Sequence, residues 1–319
     1  MNAKPFEKTG FFVLKNFGEK ILRFWTRRRL VFAIAFALAL TGCGGGANSA
    51  HRTNAPAREV ADDLGRTVRL PEKIERAVSL APNLTENIFA VGAGDRLVGV
   101  TTFCNYPPEA EKIQKVSDTQ TPNVESIIAL KPDVVFVSTA SQLENFARIL
   151  ERRNIAVFVT NPQNLEDVFK NLETLGRLFG TTEKAEKLVA ELKQRIAAID
   201  EKVSGKPKVR VFVQIDKDSL YTVGKDSFIT DLIERAGGES LTKTIETAYP
   251  KISKETALAL NPDAIILSES PNNLEPNEVF KNSAAVKNGK VYKINADLLS
   301  RPGPRLVDAL EQLAKDLHH

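Results

Sequence analysis

The sequence predicts an α/β protein made of two Rossmann-like lobes joined by a single long helix. Three observations carry that expectation. Short apolar runs alternate with helical patterns from residue 77 to 317, the signature of parallel strands linked by crossover helices. Thr182 to Val203 forms the longest uninterrupted helical pattern, with no Gly or Pro inside it. The chain also nearly repeats itself: the segment 125–138 (ESIIALKPDVVFVS) matches 255–268 (ETALALNPDAIILS) at six identical positions, 130 residues apart. Each copy reads as a helix, a Pro-Asp turn and a buried strand, so one copy falls in each half.

The elements follow in order. Arg66 to Leu70 alternates as a strand after a turn at Asp62-Asp63-Leu64-Gly65. Ala77 to Leu80 is a short apolar strand. Asn83 is placed as the cap of a helix carrying Leu84, Ile88 and Val91, stopped near Gly92 and Gly94. Leu97–Val100 and Val134–Val137 read as strands, the second wholly apolar and therefore covered on both faces. A helix near 142–152 and a strand at Ile155–Val159 continue the alternation. Asn164 caps a helix that closes at Gly180. On the long helix, Leu188, Val189, Leu192, Ile196, Ile199 and Val203 form the apolar stripe, and Ser204-Gly205-Lys206-Pro207 ends it. The second series runs through strand Val209–Ile215, a helix near Phe228–Arg235, strands Ala264–Leu267 and Val291–Ile294, and a final helix from Arg305 to Leu317.

Composition removes several functions. Eight of the 44 basic and two of the 40 acidic residues lie in 1–42, which leaves 36 basic against 38 acidic residues in the rest. A basic body for nucleic acid is therefore absent. The three histidines are His51, His318 and His319, so the body has no imidazole base for Ser-His-Asp or Cys-His catalysis. One Cys and no Met in the body leave no expected zinc or copper site. No Gly-x-Ser-x-Gly elbow, Walker loop or dinucleotide fingerprint occurs. An exported enzyme with paired carboxylates is the remote alternative, because no Asp/Glu pair is singled out by spacing.

The first 42 residues read as an export signal. Arg27-Arg28-Arg29 precede an apolar run from Leu30 to Leu40, too short to span a bilayer. Leu40-Thr41-Gly42-Cys43 resembles the bacterial lipobox, in which the Cys is acylated and becomes the new N-terminus. Acyl chains on Cys43 would hold the chain at a membrane surface outside the cytoplasm. Residues 43–57, rich in Gly, Ala, Ser and Asn, read as a flexible tether. The lobes are expected at 58–181 and 205–319, with the linking helix at 182–204.

The body, residues 58 to 317, resembles the periplasmic-binding-protein components of ABC importers for cobalamin and iron chelates. The resemblance rests on Asp63-Leu-Gly-Arg-Thr-Val68, on Arg76-Ala-Val-Ser-Leu-Ala-Pro-Asn-Leu-Thr-Glu86, on Asn105-Tyr-Pro-Pro108, on both Pro-Asp units and on Arg301-Pro-Gly-Pro-Arg305. It implies a class III periplasmic-binding-protein fold, a ligand in the cleft between lobes, and no catalysis. It also implies a permease dimer with its ATPase as partner, met by one Glu on each lobe, Glu125 and Glu255. The chain is expected to act as a monomer.

Loops at the carboxyl ends of the strands should line the cleft. By position these bring Pro82, Asn83, Phe103, Cys104, Tyr106, Ser138, Thr139, Tyr249 and the stretch from Asp297 to Arg301. The resemblance implies that Phe103 and Tyr249 pack on a corrin ring, with Asp297 and Arg301 bonding its amide rim. Thr119 and Ser138 stand where a cobalamin binder has Trp. Cys104 is read as a small buried hydrophobe rather than a cobalt ligand. One Arg is a thin cationic lining for a ferric siderophore, and haem asks for a His, Tyr or Met ligand, of which His and Met are absent. Cobalamin is therefore expected first, a ferric siderophore second and haem third; no cofactor is expected.

Overall fold

The computed structural model describes residues 57–118, 123–138 and 144–319. Cys43, Thr119, Thr139 and the leader lie outside the described residues. The strands are β1 (Ala57–Ala61), β2 (Thr67–Pro71), β3 (Ala77–Ser79), β4 (Leu97–Thr101), β5 (Lys115–Ser117), β6 (Val134–Ser138), β7 (Ala156–Thr160), β8 (Val209–Gln214), β9 (Gly238–Ser240), β10 (Ala264–Glu269) and β11 (Val291–Asn295). The helices are α1 (Pro82–Ala90), α2 (Val124–Ala129), α3 (Glu144–Glu151), α4 (Leu165–Phe179), α5 (Thr182–Val203), α6 (Phe228–Arg235), α7 (Lys254–Leu260), α8 (Ala284–Lys287), α9 (Ala296–Ser300) and α10 (Leu306–Leu317). The first strand begins at Ala57, the last residue read from sequence as tether.

Two parallel sheets organise the molecule. One runs in the order β5-β4-β3-β6-β7 and the other in the order β11-β10-β8-β9. In each, the first strand laid down sits inside the sheet. From β3 the chain adds β4 and β5 on one side and then β6 and β7 on the other; from β8 it adds β9 on one side and then β10 and β11 on the other. The strand order therefore reverses between β3 and β6, and again between β8 and β10, and the crevice beyond such a reversal is where open α/β sheets hold ligands. Val134, Val135 and Phe136 of β6 and Ile265, Ile266 and Leu267 of β10 are fully buried, as runs covered on both faces must be. The β1–β2 hairpin is antiparallel and docks on the first half, where Arg58 donates to the carbonyls of Arg177 and Leu178 at the end of α4.

The long helix α5 passes in the chain from the five-stranded sheet to the four-stranded one. Its buried face is Ala185, Val189, Leu192, Ile196 and Ile199, a spacing of four and three that keeps one stripe inward. Leu188 and Val203, read as part of that stripe, are only partly buried and lie at its margin, whereas Ala185 joins it. The stripe belongs to one apolar cluster with α4, α6 and α10. Asn164 caps α4 by accepting from the amide of Asp167, and Gly180, with φ 73°, ends it in the left-handed region.

The repeat read from sequence extends into hydrogen bonding. Asn123 and Ser253 cap α2 and α7 at matching positions, accepting from the amides of Ser126 and Thr256. Lys131 and Asn261, 130 residues apart, both hold positive φ (47° and 38°) immediately before the Pro-Asp turns. The amides of Asp133 and Asp263 then donate to the carbonyls of Arg76 and Arg210. Those two arginines in turn donate to the last carbonyls of the matching helices, Arg76 to Leu130 and Arg210 to Leu260.

Candidate functional site

A cleft of about 600 Å³ opens beyond the carboxyl ends of both sheets. Its volume lies in the range of small-molecule sites. From the first half come Pro82 and Asn83 after β3, Phe103 after β4, Ser138 at the end of β6, and Asn161 to Gln163 after β7. From the second half come Asp226 and Phe228 at the start of α6, Ala248 and Tyr249, and Asp297 to Pro302 around α9. The reversal between β3 and β6 thus contributes Pro82 and Ser138 to the walls, and the second half contributes the segments that follow β8, β9 and β11.

Asn83 does not cap its helix. The cap position is Ala81, which makes no side-chain cap bond, and α1 begins at Pro82, whose fixed φ and missing N–H suit a first helical position. Asn83 therefore sits in the first turn. It is buried, its Nδ2 has no protein partner, and it lines the cleft. A buried amide donor without a partner is costly, and Asn83 holds such a donor in the wall of the cleft.

Two aromatic rings stand open to the cleft, Phe103 at 54% and Tyr249 at 45% exposure. Apolar rings held in water on opposing halves form a receptive pair of surfaces for a flat or bulky ligand. Burial of the phenol pushes the Tyr249 pKa above its ordinary value, so the hydroxyl stays neutral. The loop carrying Tyr249 is held by Gly224, whose amide donates to Ala248 O at 2.9 Å.

Arg301 is the cleft's cation, and its charge is already answered. Its Nη1 donates to Glu86 Oε1 at 2.8 Å and to Asn105 Oδ1 at 2.8 Å, while Nη2 pairs with Asp297 Oδ1 at 2.8 Å. Glu86 also accepts from Arg305, Nη2 to Oε1 at 2.6 Å and Nε to Oε2 at 2.8 Å. Five residues, Glu86 and Asn105 of the first half and Asp297, Arg301 and Arg305 of the second, thus join the two halves beside the cleft. Asn87 donates to Pro302 O at 3.2 Å, and a Cβ on Gly303 would lie 2.6 Å from Asn87 Oδ1.

Seven of the eight residues expected to bind ligand are brought together: Pro82, Asn83, Phe103, Ser138, Tyr249, Asp297 and Arg301. Tyr106 is not among the cleft's lining residues; its ring lies under the Arg305 guanidinium, 4.0 Å from centroid to carbon. Cys104 is buried as a free thiol, in contact with Thr85 Oγ1 at 3.1 Å and Thr101 Oγ1 at 3.2 Å. Sequence reasoning did not single out Glu86, Asn161, Asp226 or Phe228. The local signal for Glu86 was a charged residue between Thr85 and Asn87 on a helix whose other residues from Leu84 to Ala90 are apolar.

Glu125 and Glu255 are both exposed in the first turns of α2 and α7. Each helix runs into a strand of its sheet, so each glutamate stands at the end of its half from which the cleft opens. The Glu255 pKa is lowered, first by its own backbone N–H and then by the Ser253 hydroxyl, so it stays ionised. Among the described residues, no cluster of three or more His, Cys, Asp or Glu is arranged to hold a metal, and no helix is long and apolar enough to cross a membrane.

Comparison with known proteins agrees with this architecture. A family described as periplasmic binding protein matches residues 78–298. An uncharacterized ABC transporter substrate-binding lipoprotein of Bacillus subtilis is 32% identical over 299 residues, covering 88% of this chain and 94% of its own. A vitamin B12-binding protein of Vibrio cholerae is 29% identical over 247 residues, covering 76% and 89%. The crystal structure of a periplasmic vitamin B12-binding protein of Vibrio cholerae superposes with a TM-score of 0.69, covering 77% of this chain and 98% of that one at 29% identity. A periplasmic haem-binding protein from Pseudomonas aeruginosa, at 24% identity, shares the fold with a TM-score of 0.70. With two parallel sheets, a cleft between their carboxyl ends and a match across most of the body, the chain belongs to the periplasmic binding protein family, whose members bind ligands and do not catalyse reactions.

Proposed function

We propose that the protein is the extracytoplasmic substrate-binding component of an ABC importer and that its cargo is cobalamin or a related corrinoid. The observation that carries this reading is the composition of the cleft. Phe103 and Tyr249 offer two open rings, Asn83 offers an unpaired amide donor, and Asp297 and Arg301 offer an acceptor and a donor. That combination suits a large ligand with an apolar face and a rim of neutral amides. It suits a ferric siderophore less well, because the one cleft arginine is matched by Glu86 and Asp297 and the cleft also carries Asp226. It suits haem less well, since no His or Met is among the residues that line the cleft. The vitamin B12-binding relatives add weight to the same choice. Titration of ligand-free protein with cyanocobalamin tests it; saturable binding at or below micromolar concentration is expected, and no binding at tens of micromolar would sink it.

Delivery is assigned to Glu125 and Glu255, which would meet cationic side chains of a two-fold permease, one from each half. The 130-residue repeat supports this reading, because it sets the two carboxylates in equivalent helix positions. Cys43 is assigned as the lipidated residue on the lipobox sequence and the lipoprotein relative. Replacement of Cys43 by Ser is expected to release the protein from the membrane fraction.

A further inference from the structure

The carboxylate of Glu86 is 3% exposed and serves two arginines from the other half of the molecule, Arg301 and Arg305. Only Arg301 lines the cleft. Its guanidinium is held on three sides, by Glu86, Asn105 and Asp297, so it can turn toward a ligand only in one orientation. The charged groups lining the described cleft are Asp226, Asp297 and Arg301. With Glu86 and Arg305 behind them, three acids face two arginines. A multiply anionic chelate entering this space finds no uncompensated cation, and it meets Asp226 and Asp297 as like charges.

We propose that Glu86 is a positioning and selectivity residue: by pinning Arg301 and cancelling its charge, it makes the cleft accept a neutral amide-rimmed cargo and reject anionic iron chelates. The carboxylate touches no ligand in this scheme; it acts through Arg301. The inference deepens the corrinoid reading but rests on the ion cluster itself, so the two can fail separately.

The test uses the full mature protein and two probes, cyanocobalamin and a trianionic ferric tris-catecholate complex. Wild type is expected to bind the first and not the second. Glu86→Gln removes the carboxylate and leaves both arginines. It is expected to lose about ten-fold or more in cyanocobalamin affinity and to gain about ten-fold or more for the tris-catecholate, a gain that weakens with added salt. The double variant Glu86→Gln with Arg305→Gln removes one charge of each sign and no longer leaves Arg305 unmatched in the interior. It is expected to keep the rejection of the anionic chelate while losing cyanocobalamin affinity, because Arg301 is no longer pinned. A Glu86→Gln protein with the wild-type affinity ratio overturns the selectivity role. A double variant with wild-type cyanocobalamin affinity overturns the positioning role. If Glu86→Gln does not fold, the double variant decides both: wild-type cyanocobalamin affinity overturns the positioning role, and a gain of about ten-fold in tris-catecholate binding despite its unchanged charge balance overturns the selectivity role. If wild type binds no cyanocobalamin, the corrinoid reading falls, and the tris-catecholate gain in Glu86→Gln still decides the role of Glu86.

Discussion

Arg195 on α5 and Glu311 on α10 form a two-bond pair, Nε to Oε1 at 2.9 Å and Nη2 to Oε2 at 2.8 Å. The same Nη2 reaches Asp308 Oδ1 at 2.7 Å. This cluster fastens the last helix to the long one on its solvent side, above the apolar stripe both share.

Its pH dependence has a defined sign. The hydrogen bond from Arg195 holds the Glu311 carboxyl below its ordinary value of 4.5. A depressed folded pKa contributes stability that is complete above the unfolded value and is lost as pH falls through the folded one. Both side chains are more than a third exposed, so the contribution is small, about 0.2–1 kcal/mol. Glu311→Gln should lower the melting temperature slightly at pH 7 and leave it nearly unchanged at pH 3. An equal loss at both values would assign the effect to packing instead.

The apolar stripe beneath that pair matters more. Leu192 is 4% exposed and sits mid-helix. Leu192→Ala should cost about 2–5 kcal/mol, through lost transfer energy and the cavity left behind. Chemical denaturation should show a lowered midpoint with unchanged slope, whereas a cost below 1 kcal/mol would mean that α5 is held by its ends alone.

Gly224 fixes one wall of the cleft. A Cβ there would lie 1.9 Å from Thr247 O and 2.7 Å from Ile245 O, both backbone atoms that cannot swing away. Gly224→Ala should therefore displace the segment carrying Ala248 and Tyr249, at a cost of about 1–3 kcal/mol in stability. Cargo affinity should fall along with stability. Full affinity in this variant would show that the Tyr249 wall does not contact ligand.

The two open rings can be weighed separately. Tyr249→Ala and Phe103→Ala each remove a large apolar surface that a bound corrinoid would cover. Each should weaken cyanocobalamin by roughly 10- to 100-fold, equivalent to about 1.4–3 kcal/mol. Because both rings are half exposed in the free protein, melting temperature should barely move. An affinity unchanged in both variants would remove the rings from the site.

Docking and capture should separate cleanly. Charge reversal at Glu125 and Glu255 together should abolish uptake in cells while cyanocobalamin affinity of the purified protein stays intact. Normal uptake by the double variant would refute the docking assignment.

Much of the architecture was legible because its signals are periodic. The wholly apolar runs at β6 and β10, the long stripe of α5 and the caps at Asn164 and Gly180 are each set by residues within one or two turns of one another. Short elements escaped: β9 is three residues beginning at Gly238, and α9 is five residues capped by Asn295. Neither is long enough to show a period. Asn83 was misread because a side chain that favours caps stood two residues after the true cap, and Pro82 decided the helix start instead. Most cleft residues were legible through the ends of strands. Glu86 was not, since its partners lie 215 and 219 residues away and no local pattern links them.

The reversal of strand order in each sheet has an evolutionary corollary. The cleft walls, such as Phe103, Tyr249 and Asp297, hang on segments that follow the strands rather than on the strands themselves. Substitution there can change what fits the cleft without disturbing the interior, so a single frame can hold chemically dissimilar ligands.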